Sequence, residues 1–194
     1  MKHEVGVTIA MLFIVILAGN WLYLRSIQPP LQPNTVVSID VVPDFGGSTY
    51  DAFVVTQNIT KTIPNATTNG YVDNSIVVPV GIPVKFVITS IDSAINLNFT
   101  GPVTVPFTIY NDTPSGMVAL NYATGQNITR LGVGHTFTVE ALGINIPLPP
   151  STIVTFNYTF TQTGSFLYHC TIPCGDGMDR TGYMQGYLIV KQSD

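Results

Sequence analysis

The feature that most constrains this chain is a short segment near its C-terminus, FLYHCTIPCGDGMDRTGYMQGYLIV, which runs from Phe166 to Val190. It contains both cysteines of the chain, one of its three histidines and two of its five methionines. Apolar runs flank a glycine-rich middle, which predicts two strands joined by a loop that carries the sulfur atoms. Thiolate and thioether are soft ligands that suit copper. The segment therefore predicts a copper site, present or lost, at one end of a β-sandwich.

The composition favours strands and argues against binding to nucleic acid. Charged residues make up 9% of the 194 residues and the formal net charge is −4, so no basic face is available for a polyanion. Thr, Ser and Asn replace the usual Lys and Glu, which favours strands and turns over solvated helices. The two cysteines are too few for a disulfide framework, and their C-x3-C spacing fits a ligand pair. A single local disulfide is the alternative that an oxidising compartment would permit.

An uncharged segment near the N-terminus predicts a membrane anchor. Val5 to Leu24 contains no charged side chain, and a bilayer-spanning helix needs about 20 apolar residues. Trp21 and Tyr23 lie where an aromatic belt is expected. A cleaved signal peptide is the alternative. We favour a retained, single-pass transmembrane helix because no clear A-x-A cleavage site follows the apolar run.

The rest of the chain predicts one extracytoplasmic domain, which would place the protein in the cell membrane with its C-terminal part outside. We expect an anchor helix at 1–27, a proline-rich linker at 28–34 and the domain at 35–194. The outside location is favoured by six N-x-[ST] motifs, at Asn58, Asn65, Asn98, Asn111, Asn127 and Asn157.

Alternation of apolar and polar residues predicts an all-β fold. It is clearest from Ser75 to Ile91, where a Pro-Val-Gly-Ile-Pro turn separates two strands, and from Thr152 to Thr161. The arrangement that we expect is an antiparallel Greek-key β-sandwich. The exception is Asp92 to Gly132, a polar stretch rich in Gly, Pro and Asn. We interpret it as an irregular insertion with some strand content, in which Thr104 to Tyr110 could be one strand.

Two motifs together resemble the cupredoxins, and most of all the copper A domain of subunit II of cytochrome oxidase, a haem–copper terminal oxidase. GHTFTVEALGINIPLPP matches that family's H-x-F-x-V strand and the turn after it, with His135 at the ligand position. Cys170, Cys174 and Gly175 match its C-x3-C-G motif, and Met184 precedes a matching GYLIV strand. The resemblance covers Ser75 to Lys191 without the insertion. It implies a cupredoxin-like Greek-key β-sandwich.

The resemblance also implies a set of metal ligands, namely His135, Cys170, Cys174, Met178 and Met184. In that family two thiolates bridge two copper ions, and each ion keeps one imidazole. Met178 stands where the second histidine belongs, so it is a weaker ligand, and Asp179 is a hard-oxygen alternative. Ile172 would offer its backbone carbonyl. The implied cofactor is copper, either binuclear and copper A-like or mononuclear, or lost.

The same loop is also similar to the type 1 copper hairpin of copper nitrite reductases, with Asp179 where a histidine belongs. In that enzyme the histidine before the cysteine binds a second, catalytic copper together with two other histidines. This chain contains only His3, His135 and His169, which argues strongly against a reductase. Because His169 and Cys170 are neighbours in a strand, their side chains point to opposite faces. We interpret His169 as structural or as a contact for a partner.

We therefore expect a subunit II or subunit II-like electron-transfer cupredoxin of a terminal oxidase in a respiratory chain. It would accept electrons on the outer face from an electron donor protein and pass them to the haem-bearing subunit I, without catalytic residues of its own. One alternative is a structural subunit II of the quinol oxidase type that has lost copper and holds a Cys170–Cys174 disulfide. Another is a membrane-tethered mononuclear blue copper protein that resembles sulfocyanin.

Overall fold

Strands account for almost all the regular structure in the part of the chain that the computed structural model describes, which is residues 35–43, 51–57, 60–61, 74–94, 97–175, 178, 180 and 182–192. The predicted all-β class is confirmed. A 3-10 helix covers Glu140–Leu142, and the strands are β1 (Thr35–Val42), β2 (Ala52–Gln57), β3 (Thr60–Lys61), β4 (Ile76–Pro79), β5 (Pro83–Ser90), β6 (Leu97–Pro102), β7 (Phe107–Thr113), β8 (Gly116–Tyr122), β9 (Asn127–Val133), β10 (His135–Val139), β11 (Ile144–Leu148), β12 (Thr152–Thr159), β13 (Gly164–His169) and β14 (Gln185–Lys191).

Within these ranges no helix is long and apolar enough to cross a membrane. The predicted anchor at 1–27 and linker at 28–34 lie outside the described residues.

Two sheets face each other, and a two-stranded ribbon accompanies them. Sheet 1 has the strand order β3-β2-β1-β5-β12-β7-β8, sheet 2 has the order β11-β10-β13-β14-β4, and the ribbon pairs β6 with β9. Consecutive strands often change sheet, as β4 and β5 or β11 and β12 do, and such crossings are typical of Greek-key connections. The result is a β-sandwich, as predicted.

The core between the sheets follows from the two-residue period of the strands. In β5 the side chains of Val84, Phe86 and Ile88 are buried, whereas Lys85 between them is exposed. Aromatic rings join the two inner faces: Phe86 of sheet 1 lies 6.0 Å from Phe137 of sheet 2, measured between ring centroids. Phe53 contacts Phe137 at the same distance with the rings nearly perpendicular. An edge-to-face pair such as Phe53–Phe137 adds to the free energy gained by burying the rings.

The pairing is not wholly antiparallel, which corrects the expected arrangement. β1 runs parallel to β5, and β14 runs parallel to β4. Sequence signals for hairpins concern strands that are neighbours along the chain. These two pairs join strands that are far apart, and long connections allow parallel pairing.

The stretch from Asp92 to Gly132 is more regular than an irregular insertion. It contains four strands, β6 to β9, and β7 joins sheet 1 beside β12. The predicted strand at Thr104 to Tyr110 overlaps β7, which is Phe107–Thr113. Several of the residues that suggested irregular structure lie within the strands, such as Gly101 and Pro102 in β6, where the pairing with β9 shifts register between Phe99 and Gly101.

A buried hydrogen bond joins β13 to the segment that leads into β4. The Tyr168 hydroxyl donates to the Asn74 carbonyl at 2.5 Å. The Asn74 side-chain amide donates to the carbonyls of Tyr183 and Gln185, both at 3.2 Å. Gly186 makes room for this contact, because a Cβ there would clash with both the Tyr168 hydroxyl and the Asn74 side chain. The bond thus fixes the chain where the loop between β13 and β14 returns to the sheet.

This contact predicts that Tyr168→Phe lowers the stability of the protein. The substitution leaves the buried Asn74 carbonyl without its donor, which should lower the free energy of unfolding by about 1–3 kcal/mol. Chemical denaturation of the full-length protein would measure the change. Tyr187→Phe on the neighbouring strand is the matched control, since Tyr187 is 44% exposed and should change stability by less than about 0.5 kcal/mol. Equal effects of the two variants would contradict the assignment.

Candidate metal centre

His135 occupies the first position of β10, where it faces the core. The two-residue period puts His135, Phe137 and Val139 on one face of the strand, and all three are fully buried. Phe137 packs among the aromatic rings between the sheets. The imidazole therefore lies at the end of the hydrophobic core rather than on the surface.

Cys170 comes within reach of His135 because β10 and β13 are antiparallel neighbours. Thr138 pairs with His169, so the chain beyond β13 runs alongside the beginning of β10. Cys170 continues the face of Tyr168, and both are buried. His169 points to the other face, as predicted, and its Nε2 lies 3.7 Å from Oε1 of Glu140.

The structure brings three of the five predicted ligands together. One ring nitrogen of His135 and the Sγ atoms of Cys170 and Cys174 all lie within 4.8 Å of one another. Each of the three residues is at most 2% exposed. Neither cysteine forms a disulfide in the described part of the chain. The cluster thus has two soft sulfur donors and one imidazole at a single buried point.

The two methionines differ in burial. Met184 is fully buried in the same apolar core as Cys170 and Cys174, and its carbonyl accepts a hydrogen bond from the Cys170 amide at 3.0 Å. Met178 is half-buried and packs against that core. Asp179 lies outside the described residues. That any of these residues binds a metal stays a prediction.

Threonine hydroxyls attach the cysteine loop to β10. The Thr171 amide donates to Oγ1 of Thr136 at 2.8 Å, and the hydroxyls of these two residues are 2.9 Å apart. Inside the loop, Sγ of Cys170 lies 3.6 Å from the Ile172 carbonyl oxygen, to which it donates a hydrogen bond while the thiol is protonated. The Ile172 carbonyl oxygen therefore faces the sulfur of Cys170, and that it binds a metal stays a prediction.

Hydrogen bonds favour the thiolate form of Cys170. The side chain of Cys174 contributes most to lowering the pKa of Cys170, and His135 and the Thr136 backbone lower it further. These contributions outweigh burial, which by itself raises the pKa. Because the thiolate is the form of cysteine that binds metals, the loop holds Cys170 ready to act as a ligand.

The His135 imidazole also has a shifted pKa. Burial lowers its pKa, but the neighbouring Cys170, the hydrogen bond of Asp92 and the charge of Asp51 outweigh burial and raise it. The groups around the imidazole therefore favour a positive charge on it. A bound metal cation would supply that positive charge in place of the proton.

Two carboxylates, absent from the ligand set that the sequence predicts, lie on the other side of the imidazole. Nε2 of His135 lies 3.0 Å from Oδ2 of Asp92 and 3.9 Å from Oδ2 of Asp51. With His135 they form a second group that could hold a metal, with hard oxygen donors in place of sulfur. Nε2 is already hydrogen-bonded to Asp92, whereas Nδ1 is buried without a hydrogen-bond partner in the described structure. Nδ1 is therefore the nitrogen available to join the thiols.

Sequence reasoning missed these carboxylates for identifiable reasons. Asp51 lies in the region that the cupredoxin resemblance does not explain. Asp92 follows an alternating strand and stands at the beginning of the predicted insertion, where it looks like an ordinary turn residue. The only available signal was its position directly after a buried strand.

The donor set fits copper. Two thiolates and an imidazole are ligands that copper prefers, and thioethers such as Met184 commonly complete its coordination. The buried Nδ1 of His135 has no hydrogen-bond partner among the residues that the structure describes. A bound copper ion would satisfy it, so the residues present suit the group that the sequence predicts.

No protein-family model and no curated protein sequence matches this chain. Several solved structures are similar to it. The periplasmic domain of subunit II of cytochrome oxidase of Bradyrhizobium japonicum is 16% identical, with a TM-score of 0.41, over 84% of this chain and 87% of that one. A chain of a haem–copper terminal oxidase dimer is 14% identical, with a TM-score of 0.37, over 98% of this chain and 100% of that one. Reduced rusticyanin is 18% identical, with a TM-score of 0.34, over 80% of this chain and 78% of that one.

Proposed function

We propose that this protein is the electron-transfer domain of a subunit II-type component of a haem–copper terminal oxidase. The observation that carries the proposal is the convergence of His135, Cys170 and Cys174 within 4.8 Å at a buried point beside the beginning of β10 and the end of β13. These residues are separated by up to 39 positions in the sequence (174 − 135). The fold brings them together with the donor chemistry that copper prefers.

Bound copper would supply a one-electron carrier, which takes one electron from a donor and gives one to an acceptor. The chain's own residues set the conditions for that exchange. The thiolates and Nδ1 of His135 bind, and burial excludes water from the site. Because the loop is fixed to β10 by Thr136 and Thr171, the ligands would move little between the two oxidation states. Small movement favours fast electron transfer.

The proposal includes a location and partners. The uncharged segment Val5 to Leu24 would anchor the protein in the membrane, with residues 35–194 outside. The domain would accept electrons from a donor protein there and deliver them to a haem-bearing subunit I. The support comes from the sequence: the length of the apolar run and the six N-x-[ST] motifs.

A mononuclear copper site is the second candidate, and the count of histidines favours it. The chain has three histidines. His135 joins the thiols, and His169 faces Glu140 instead. A copper A-like pair would need a second imidazole, and Met178 stands at that position. One imidazole suits a single copper ion with His135, cysteine thiolate and Met184 as ligands.

Thiol titration distinguishes these sites from the structural subunit that has lost copper. We expect two reactive thiols per chain after the freshly purified, metal-free protein is unfolded without reductant. In the folded protein both should react slowly, because Cys170 and Cys174 are at most 2% exposed. Cys170→Ser and Cys174→Ser should each titrate as one thiol. A count near zero in the unfolded wild-type protein would indicate a disulfide and support the structural subunit.

Copper loading tests the proposed function directly. After reconstitution with Cu(II) and reductant, the full-length protein should hold one or two copper ions per chain and show visible thiolate-to-copper absorption. His135→Asn should weaken copper binding more than about 100-fold, since losing even an outer hydrogen-bond partner can cost that much. His169→Asn is the matched control and should bind like wild type.

The methionine ligand has a matched control as well. Met184→Leu should change the visible spectrum and the reduction potential, whereas Met117→Leu, at a position that is 62% exposed on β8, should change neither. A wild-type protein that binds no copper under these conditions would overturn the electron-transfer proposal.

A further inference from the structure

We propose that Asp92 is a positioning residue for the metal centre, because its carboxylate holds the Nε2–H of His135 and leaves Nδ1 to face the thiols. The inference rests on the proposed function for its effect on copper. It also describes a hydrogen bond that exists in the metal-free protein, so the two can be tested separately.

The geometry places a proton on Nε2 of the imidazole. Oδ2 of Asp92 lies 3.0 Å from Nε2, a normal length for an N–H···O hydrogen bond. An ionised carboxylate can only accept, so Nε2 must carry the proton. In the neutral ring Nδ1 then has its lone pair free for a metal. Because His135 is fully buried, water cannot readily take the place of Asp92.

Two hydrogen bonds hold Asp92 in place, one at its side chain and one at its backbone. Its other carboxylate oxygen, Oδ1, accepts a hydrogen bond from the Ala94 amide at 2.9 Å. Its backbone carbonyl accepts one from the Ser151 amide, also at 2.9 Å. The first contact fixes the rotation of the side chain, and the second ties this turn to the beginning of β12. The carboxylate thus meets the imidazole in a set orientation.

Gly134 provides the space that this arrangement needs. A Cβ atom at position 134 would lie 2.7 Å from the Ala94 carbonyl oxygen and 3.5 Å from Oδ2 of Asp92. Real Cβ atoms do not approach a backbone oxygen so closely, so any side chain there would displace the turn at Asp92. The glycine directly before His135 is therefore part of the same arrangement.

Asp51 supplies a matched control within the same site. Its Oδ2 is 3.9 Å from Nε2, which is too far for a hydrogen bond, although its charge still acts on the imidazole. Asp51→Asn and Asp92→Asn both remove one negative charge near the ring. Only the second also replaces the carboxylate that accepts the Nε2–H.

The arrangement should influence the bound metal. A carboxylate on the far nitrogen makes the imidazole a stronger donor, and removing such a partner typically costs 10- to 100-fold in metal affinity. Cu(II) is a harder ion than Cu(I) and gains more from a strongly donating nitrogen. Asp92→Asn should therefore weaken Cu(II) binding more than Cu(I) binding. The reduction potential should rise by roughly 59 mV for each factor of ten by which the loss of Cu(II) affinity exceeds the loss of Cu(I) affinity.

Two measurements on the full-length protein test the inference. In metal-free protein, NMR should show a slowly exchanging Nε2–H proton far downfield, assigned by its loss in His135→Asn. It should persist in Asp51→Asn and disappear or shift strongly upfield in Asp92→Ala. In copper-loaded protein, Asp92→Asn should weaken Cu(II) binding roughly 10- to 100-fold, and Asp51→Asn should do so clearly less. Gly134→Ala should reproduce the loss seen with Asp92→Asn.

The outcomes separate this inference from the proposed function. If wild type and Asp92→Asn bind copper equally, or if Asp51→Asn has the same effect as Asp92→Asn, positioning by Asp92 is overturned while the copper site stands. If wild type binds no copper, the proposed function fails, and the proton resonance still decides whether Asp92 holds the imidazole. Loss of that resonance in Asp51→Asn but not in Asp92→Ala would also overturn the inference.

Discussion

The buried imidazole of His135 is the group on which the candidate site depends. A fully buried ring has two nitrogen atoms that both require partners, since unpaired polar atoms inside a protein are costly. Asp92 satisfies Nε2. Nδ1 remains for the sulfur atoms or for a metal held between them. One ring thus joins two chemically different groups, a soft pair of thiols and a hard pair of carboxylates.

The sheet decides that these groups meet. β10, β13 and β14 are adjacent, and the antiparallel direction of β13 puts the beginning of β10 beside the end of β13. Cys170 directly follows the end of β13, and Met184 directly precedes the beginning of β14. Behind them the rings of Phe137, Phe53 and Tyr168 pack between the two sheets. Dense packing of this kind resists small displacements, so the ligands rest on a rigid support.

Many of the strands, and part of the candidate site, could be predicted from local sequence patterns. The two-residue period gives the strands around His135 and Phe166, and it correctly puts His169 and Cys170 on opposite faces. Patterns of this kind describe neighbours along the chain. They could not show that β1 pairs in parallel with β5, nor that β7 of the polar stretch extends sheet 1. Those pairings depend on which strands are adjacent in space.

The sequence by itself determined the chemistry: two cysteines at C-x3-C spacing, one histidine in a strand, and a methionine before the last strand, all of which suit copper. The tertiary structure decided which nitrogen of His135 is available and what holds the other one. Asp92 is separated from His135 by 43 positions, and no motif connects them. Their contact arises because the turn after β5 in sheet 1 packs against the beginning of β10 in sheet 2, which is a property of two facing sheets rather than of either segment.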